Sequence, residues 1–503
     1  MSHLPVLPIL LPMFMGALLL LIARTRLRMK RNLSLLATLL QVPLAMLLML
    51  SASEGISVYA LGDWRPPFGI VLVVDRLAAL MLMVTAVLAL AAVLYARRGD
   101  DALGRNFHAL FQFQLMGING AFLTGDLFNL FVFFEILLIS SYALLLHGAG
   151  PGRLRAGLHY VLLNLAGSAL FLIAVGTLYG VLGTLNMADL ALRVAALDGA
   201  DAPLVGAAGM LLLVVFALKA AVFPLYFWLP RAYAAATPPV AALFAIMTKV
   251  GVYAILRVYL LIFGENAGLL ANMALDWLWP LALLTLVLGA IGTLAASTLN
   301  VLIAYLVVVS VGTLLAGIAI GTEDALVAVL YYLIHSTWIS AALFLLAGLL
   351  ARARGPRHST RLIAGPPLPL LLGALFFVAG ISIAGLPPLS GFIGKLMLLQ
   401  AAGGGSSAAW LFAVVLTGGF CALLALSRAG STLFWRRDET TTVAEPLDRV
   451  RLLAVLMLLL GSPLLVLVAA PLLEYLQATA QQLLDPAGYV RQVLGTRLDG
   501  GDL

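Results

Sequence analysis

The chain has 503 residues, 63% of them hydrophobic and only 10% charged, with a mean hydropathy of +1.10. Soluble domains are about 45–50% apolar and about 25% charged, so this chain needs lipid as its solvent, and a soluble globular or disordered class is excluded. The net charge of +7 does not indicate nucleic acid, because the basic residues stand in short clusters between apolar runs, the pattern that orients a membrane protein.

Apolar runs of spanning length occur near residues 4–23, 33–52, 72–96, 107–124, 127–146, 156–182 and 205–229. They continue near 233–263, 275–297, 300–320, 325–351, 368–400, 407–434 and 450–472, which makes fourteen. The division between runs 4 and 5 rests on the Gly125-Asp126 break alone. The first run is long and ends in a basic cluster, so it reads as an anchor and not as a cleaved leader. With the N-terminus outside, alternate loops collect Arg24, Arg26, Arg28, Lys30 and Arg31; Arg97, Arg98 and Arg105; Arg153 and Arg155; and Arg231. Later loops on that side add Arg352, Arg354, Arg357, Arg361, Arg428, Arg436, Arg437, Arg449 and Arg451, for twenty basic residues inside. Only six (Arg65, Arg76, Arg193, Arg257, Arg491, Arg497) fall outside, together with fifteen of the 22 acidic residues. An even number of spans with both termini outside follows.

Two runs carry prolines where a helix should continue. Pro224 follows Lys219 in run 7, and Gly385-Leu-Pro-Pro-Leu-Ser-Gly-Phe392, with Pro387 and Pro388, precedes Lys395 in run 12. Proline removes a donor and clashes with the preceding turn, and freed carbonyls persist at membrane depth only where protein or water satisfies them. Runs 7 and 12 are five apart, and an odd offset reverses orientation. The expected fold is therefore an all-α integral membrane protein with inverted five-helix repeats, runs 4–8 and 9–13, each with a broken helix. On this reading residues 1–106 hold runs 1–3, residues 107–263 the first repeat and residues 275–434 the second. Residues 450–503 hold run 14 and a mildly amphipathic tail from about Glu474 to Leu503.

Four ionisable groups lie deep in apolar runs: Glu135, Lys219, Lys249 and Lys395. A charge at a helix centre costs roughly 2.5–3.5 kcal/mol on insertion scales, and these side chains are too far from a run end to snorkel. Burial disfavours the charged form and a nearby opposite charge restores it, so a Glu–Lys pair whose separation changes can make a lysine hold or release its proton. The alternative for each is a polar group that merely satisfies a neighbouring helix. His335, in Tyr-Tyr-Leu-Ile-His-Ser-Thr, adds a group that titrates near neutrality. Alone it would read as a core histidine; among buried lysines it is a relay candidate. Thr248, Tyr253, Ser310 and Ser390 are possible water-holding positions, and His108, His147 and His159 read as interfacial.

Other chemistries are excluded. Gly391-Phe-Ile-Gly-Lys395 lacks phosphate-loop spacing, no His/Asp/Glu cluster has metal-ligand spacing, and the single Cys421 sits in an apolar run.

These motifs resemble the antiporter-like subunits shared by respiratory complex I, membrane-bound hydrogenases and the Mrp (Mnh, Sha or Pha) multisubunit cation/proton antiporters. The marks are Phe-Phe-Glu135, Lys219 before Phe-Pro-Leu-Tyr-Phe-Trp-Leu-Pro230, Thr-Lys249-Val-Gly-Val-Tyr, His335, and Gly-Leu-Pro-Pro-Leu-Ser-Gly-Phe before Lys395. Pro-Leu-Tyr-Phe-Trp-Leu-Pro and the chain length look like the D-type member of the Mrp assembly. The resemblance implies that Glu135 and Lys219 form a modulating pair, Lys249 and His335 a central relay, and Lys395 the terminal exchange group. It also implies a secondary transporter subunit and not an enzyme, in a bacterial inner membrane, with partner subunits of types A, B, C, E, F and G. The subunit would exchange Na⁺ or K⁺ for protons with no nucleotide or redox cofactor. Some relatives carry a lysine five residues after the histidine; Ser340 stands there, so that proton site is not carried over. The rival readings are a complex I or hydrogenase membrane subunit and a non-conducting scaffold.

Overall fold

The structure is a computed structural model, and it describes residues 3–23, 25–436 and 447–495. Arg24, Arg437 and Arg497, assigned to loops above, and the tail beyond Gly495 lie outside the described residues.

The chain opens with α1 (Leu7–Leu21) and α2 (Leu27–Glu54), then a small hairpin of β1 (Ser57–Ala60) and β2 (Val71–Val74). The two strands are antiparallel, with Ser57 opposite Val74 and Ala60 opposite Val71. The third apolar run is thus not one helix: Val71-Leu-Val-Val74 suits a pleated strand. Asp75 then caps α3 (Arg76–Ala96), accepting a hydrogen bond from Ala78 N at 2.8 Å. Next come α4 (Phe107–Leu123), α5 (Leu127–Leu145), α6 (Pro151–Leu182) and a short α7 (Met187–Ala195). The Gly125-Asp126 break is real: Asp126 is extended and accepts from Asn129 N at 2.8 Å to start α5.

The seventh run divides into α8 (Ala202–Ala220) and α9 (Trp228–Ala235), followed by α10 (Pro238–Leu261), α11 (Leu275–Ala295), α12 (Leu299–Ile320) and α13 (Glu323–His358). The twelfth run divides into α14 (Leu370–Ala384) and α15 (Ser390–Ala401). After α16 (Ser406–Gly430), extended by a π-turn to Trp435, the chain ends in α17 (Arg449–Leu459), α18 (Gly461–Leu467), α19 (Ala469–Leu483) and α20 (Pro486–Leu494). Among the described residues, twelve helices are long and apolar enough to cross a membrane, and α14 is a shorter apolar helix. The fourth run is the 17-residue α4.

Connections alternate between two faces. On one, Arg31 meets Asp101, Arg352 and Arg451 meet Asp100, and Arg153 reaches Ala235 O and His147 O, so the basic loops converge. On the other, Gly125 N donates to Val71 O, Leu127 N to Leu185 O, and Tyr475 OH to Arg76 O. The tail therefore folds back on the chain's own body: Gln482 accepts from Arg76 N at 2.9 Å and the Tyr489 ring lies 5.3 Å from the Arg257 guanidinium. Arg257, counted above among the outer basic residues, is a buried residue of α10 paired with Asp75 at 2.6 Å.

Helices α10, α12 and α13 form the centre, and every residue in the apolar window of α10 is buried. In lipid, helices associate by close packing and hydrogen bonds, which favours small residues at contacts. Gly251 shows this, because a Cβ there would stand 2.6 Å from Ala220 N. The central helix thus presses its lysine-bearing turn against the broken end of α8.

Candidate functional site

At the first break, α8 ends in Ala221 with a left-handed φ of 61°, and the chain resumes helix only at Trp228. The exposed backbone is satisfied by side chains, as membrane depth requires: Trp228 Nε1 donates to Leu218 O at 3.0 Å and Phe223 N donates to Thr285 Oγ1 at 2.9 Å. Lys219, on the last turn of α8, is only 4% exposed. Its ammonium donates to Asn164 O at 3.3 Å, Asn164 Oδ1 at 3.4 Å and Ser168 Oγ at 3.5 Å. Ser168 in turn donates to the Glu135 carboxylate. Glu135 and Lys219 are thus joined through one hydroxyl and form no direct ion pair among the described residues. The Phe134 ring, 6.0 Å from Lys219 Nζ, closes the apolar side.

Lys249 lies mid-way along α10, is fully buried, and donates to Ser310 Oγ on α12 at 3.2 Å. No acidic side chain is paired with it among the described residues. Thr248 bonds only within its own helix, to Ala245 O. Tyr253 belongs elsewhere, donating to Phe122 O at 2.6 Å beside Arg257.

At the second break, α14 ends in Gly385 with φ 85°, and α15 begins at Ser390. Lys395 sits one turn into α15 and bends back to donate to Ala384 O at 2.8 Å and Ile383 O at 3.5 Å. A helix C-terminus carries partial negative charge and favours a cation, so Lys395 is held by peptide dipoles. His335 on α13 shares a 2.8 Å hydrogen bond with Ser390 Oγ, which meets Ser462 Oγ at 2.8 Å; Ser462 meets Ser382 Oγ at 2.7 Å. Gly391 lets α15 approach His335: a Cβ there would lie 2.8 Å from Nε2.

The five sequence candidates are therefore all buried or half-buried in helices, in three clusters: Glu135–Ser168–Lys219, Lys249–Ser310, and His335–Ser390 with Lys395 on the end of α14. Direct hydrogen bonds join the members of the first two clusters and His335 with Ser390, whereas among the described residues none joins Lys395 to His335 or one cluster to another. Asn164, Ser168, Thr285 and Ser462 escaped the sequence reading. The Asn164-Leu-Ala-Gly-Ser168 spacing, one turn apart on α6, was the one usable signal.

His108 and His147, expected at the interface, are buried. His108 Nε2 lies 3.0 Å from Asp101 and His147 Nε2 lies 3.0 Å from Asp100 O. His159 is half-buried beside Phe227.

A family profile described as "NADH:quinone oxidoreductase/Mrp antiporter, TM" matches residues 124–421, the stretch that holds all three clusters. The chain belongs to this family. It is 43% identical to a chain of Rhizobium meliloti described as a probable D-type subunit of a K(+)/H(+) antiporter, with 98% of each covered. It is 38% identical to the D-type subunit of the Na(+)/H(+) antiporter of Bacillus subtilis, over 98% of this chain and 100% of that one. Among solved structures it is similar to a chain of the Mrp complex from Dietzia sp. DQ12-45-1b, with a TM-score of 0.88, 29% identity and coverage of 98% and 100%. It is also similar to a chain of respiratory complex I from Thermus thermophilus, with a TM-score of 0.77, 28% identity and coverage of 96% and 99%. The chain is therefore a multi-pass membrane protein with the fold of the Mrp antiporter and complex I family.

Proposed function

We propose that the chain is the D-type, proton-translocating subunit of a multisubunit Na⁺/H⁺ or K⁺/H⁺ antiporter. Protons would pass among Glu135, Lys219, Lys249, His335 and Lys395. The observation that carries this reading is the Glu135–Ser168–Lys219 chain at the first helix break. An ammonium in an apolar interior keeps its proton while a carboxylate is close and releases it more readily when that link lengthens. Ser168 is the element whose geometry sets the link. Asn164, Ser310, Ser390 and Ser462 supply neutral oxygens that hold a lysine or histidine without fixing its charge. The breaks at Pro224 and at Pro387-Pro388 leave the adjoining backbone free to shift.

In this reading residues 107–263 and 275–434 are the two inverted repeats, both termini lie outside the cell, and A-, B-, C-, E-, F- and G-type subunits complete the assembly in a bacterial inner membrane. The identities of 43% and 38% to D-type antiporter subunits support this over a complex I or hydrogenase role, where a redox module would drive the same route.

The test is a cation-driven proton flux measured in everted vesicles holding the chain with its co-expressed partner subunits. Addition of Na⁺ or K⁺ to acidified vesicles is expected to release protons with no redox substrate supplied after acidification. Vesicles with the intact assembly that respond to neither cation would overturn the proposal.

A further inference from the structure

A second charged region lies outside the residues matched by the family profile. Helices α2 and α4 both begin at the basic face, and neither has a side-chain cap: Arg26 and Asn106 occupy the N-cap positions without bonding the first turn. The buried N–H groups of Phe107 and His108 find no acceptor among the described residues. A helix start carries partial positive charge, and its free N–H groups make a ready anion site.

Between these two helix starts is a cavity of about 100 Å³, against about 30 Å³ for one water in the liquid. Leu27 and Lys30 of α2 line it, with Asp101, Arg105, Asn106 and His108. Lys30 is the independent observation. It is only 8% exposed and faces this cavity, yet its ammonium has no hydrogen-bond or ion-pair partner among the described residues. The nearest carboxylate does not supply one: Asp101 is gripped by Arg31 at 2.6 and 2.7 Å and by His108 at 3.0 Å. Arg105, exposed at the rim, also lacks a partner among the described residues. A pocket with two positive helix ends, an unpartnered ammonium opening onto it and a free guanidinium at its rim suits an anion.

We infer that this pocket binds a phosphate-bearing anion, the head group of an anionic phospholipid at the basic face. The position argues for lipid. Both helix starts stand where apolar spans emerge, at head-group depth, and basic pockets between spans bind phospholipid head groups. The inference is independent of the proton route.

The test uses the full chain with its co-purifying subunits, extracted in detergent and stripped of lipid. Thermal unfolding is followed while short-chain phosphatidylglycerol, phosphatidylcholine or inorganic phosphate is titrated. Phosphatidylglycerol is expected to raise the Tm more than phosphatidylcholine. Lys30→Gln is expected to weaken the phosphatidylglycerol response about tenfold, the value of one hydrogen bond to a charged group. Arg105→Gln, exposed and so free of folding trouble, should weaken it less, while Arg65→Gln on the other face should leave it unchanged. Competition by inorganic phosphate would support the anion site and show that it also fills from solution. Equal responses to the two lipids, or an unshifted phosphatidylglycerol midpoint in both Lys30→Gln and Arg105→Gln, would overturn the inference.

Discussion

Charge is buried in two different ways in this molecule. At its two faces the charges are paired closely: Asp75 with Arg257 at 2.6 Å, Asp100 with Arg451 at 2.8 Å, and Asp101 with Arg31 at 2.6 Å. Along the interior the ionisable groups keep apart. Lys249 rests on a serine, Lys395 on a helix end, and Lys219 reaches Glu135 only through Ser168. A direct ion pair with short bonds fixes both partners as charged, which serves a fold and defeats a proton carrier. A lysine on neutral oxygens can change protonation without losing a counter-charge, which suits a route and adds little to stability. The two regions should therefore fail differently when they are cut.

The largest effect is expected at the interior. Lys219→Ala or Glu135→Ala should reduce cation-driven proton flux in everted vesicles to background while the subunits still co-purify. The double substitution should be no worse, because either change breaks the same link. Wild-type flux in the assembled double variant would erase the proposed difference between the regions.

The converse cut is Asp75→Asn. It leaves the buried Arg257 guanidinium without its carboxylate, and removing one partner of a buried pair typically costs about 3–5 kcal/mol. Thermal unfolding in detergent should show that loss, while flux per folded molecule stays close to wild type. A variant of unchanged stability that has lost flux would place Asp75 with the route instead of the clamp.

The contrast also explains what the sequence revealed. Lys219, Lys249 and Lys395 were legible because a charge inside an apolar run has no cheap explanation. The breaks at Pro224 and Pro387 were legible because proline cannot continue a helix. Most partners were not: Ser168 and Ser462 are unremarkable in a membrane helix, and only helix packing decides which serine faces a lysine or a histidine. Arg257 counts as an outer-side charge in the sequence, and its pairing is hidden there because its counter-charge, Asp75, is 182 positions away in the chain. His108 and His147 were assigned to the interface because helix ends are usually wet, whereas here the converging basic loops cover them. The Val71–Val74 strand merged with the apolar run of α3, since hydropathy alone does not separate a buried strand from a helix start.

A smaller effect is expected from Ser168→Ala, which leaves both charges in place and removes only the hydroxyl between them. The lost bonds are to charged groups, each worth about 1.5–3 kcal/mol. A roughly tenfold fall in flux is the corresponding minimum, with an altered pH profile, since the link sets how readily Lys219 parts with its proton. Ser168→Thr keeps the hydroxyl and should restore the profile. An unchanged profile in Ser168→Ala would mean that the carboxylate acts on Lys219 without the serine.

The smallest effect concerns the basic face and acid. Burial alone would push the Asp101 carboxyl up, but the hydrogen bonds from Arg31 and His108 outweigh it and hold the pKa down, from 3.8 to about 2. A carboxyl that is more acidic in the folded than in the unfolded chain contributes stability above its unfolded pKa and loses it as pH falls. The Asp101 contribution should thus be complete above 3.8 and vanish as pH drops through about 2. Asp101→Asn should lower the Tm at neutral pH and flatten the acid limb in that window, leaving the flux per folded molecule unaltered. Arg31 and His108 bond this carboxyl, while Lys30 and Arg105 line the same cavity, so the same scan on Arg31→Gln should show a partial version of the change. Identical acid limbs in wild type and Asp101→Asn would mean that the tight pairing at this face does not contribute the stability assigned to it, and the division between clamp and route would then rest on Asp75 and Arg257 alone.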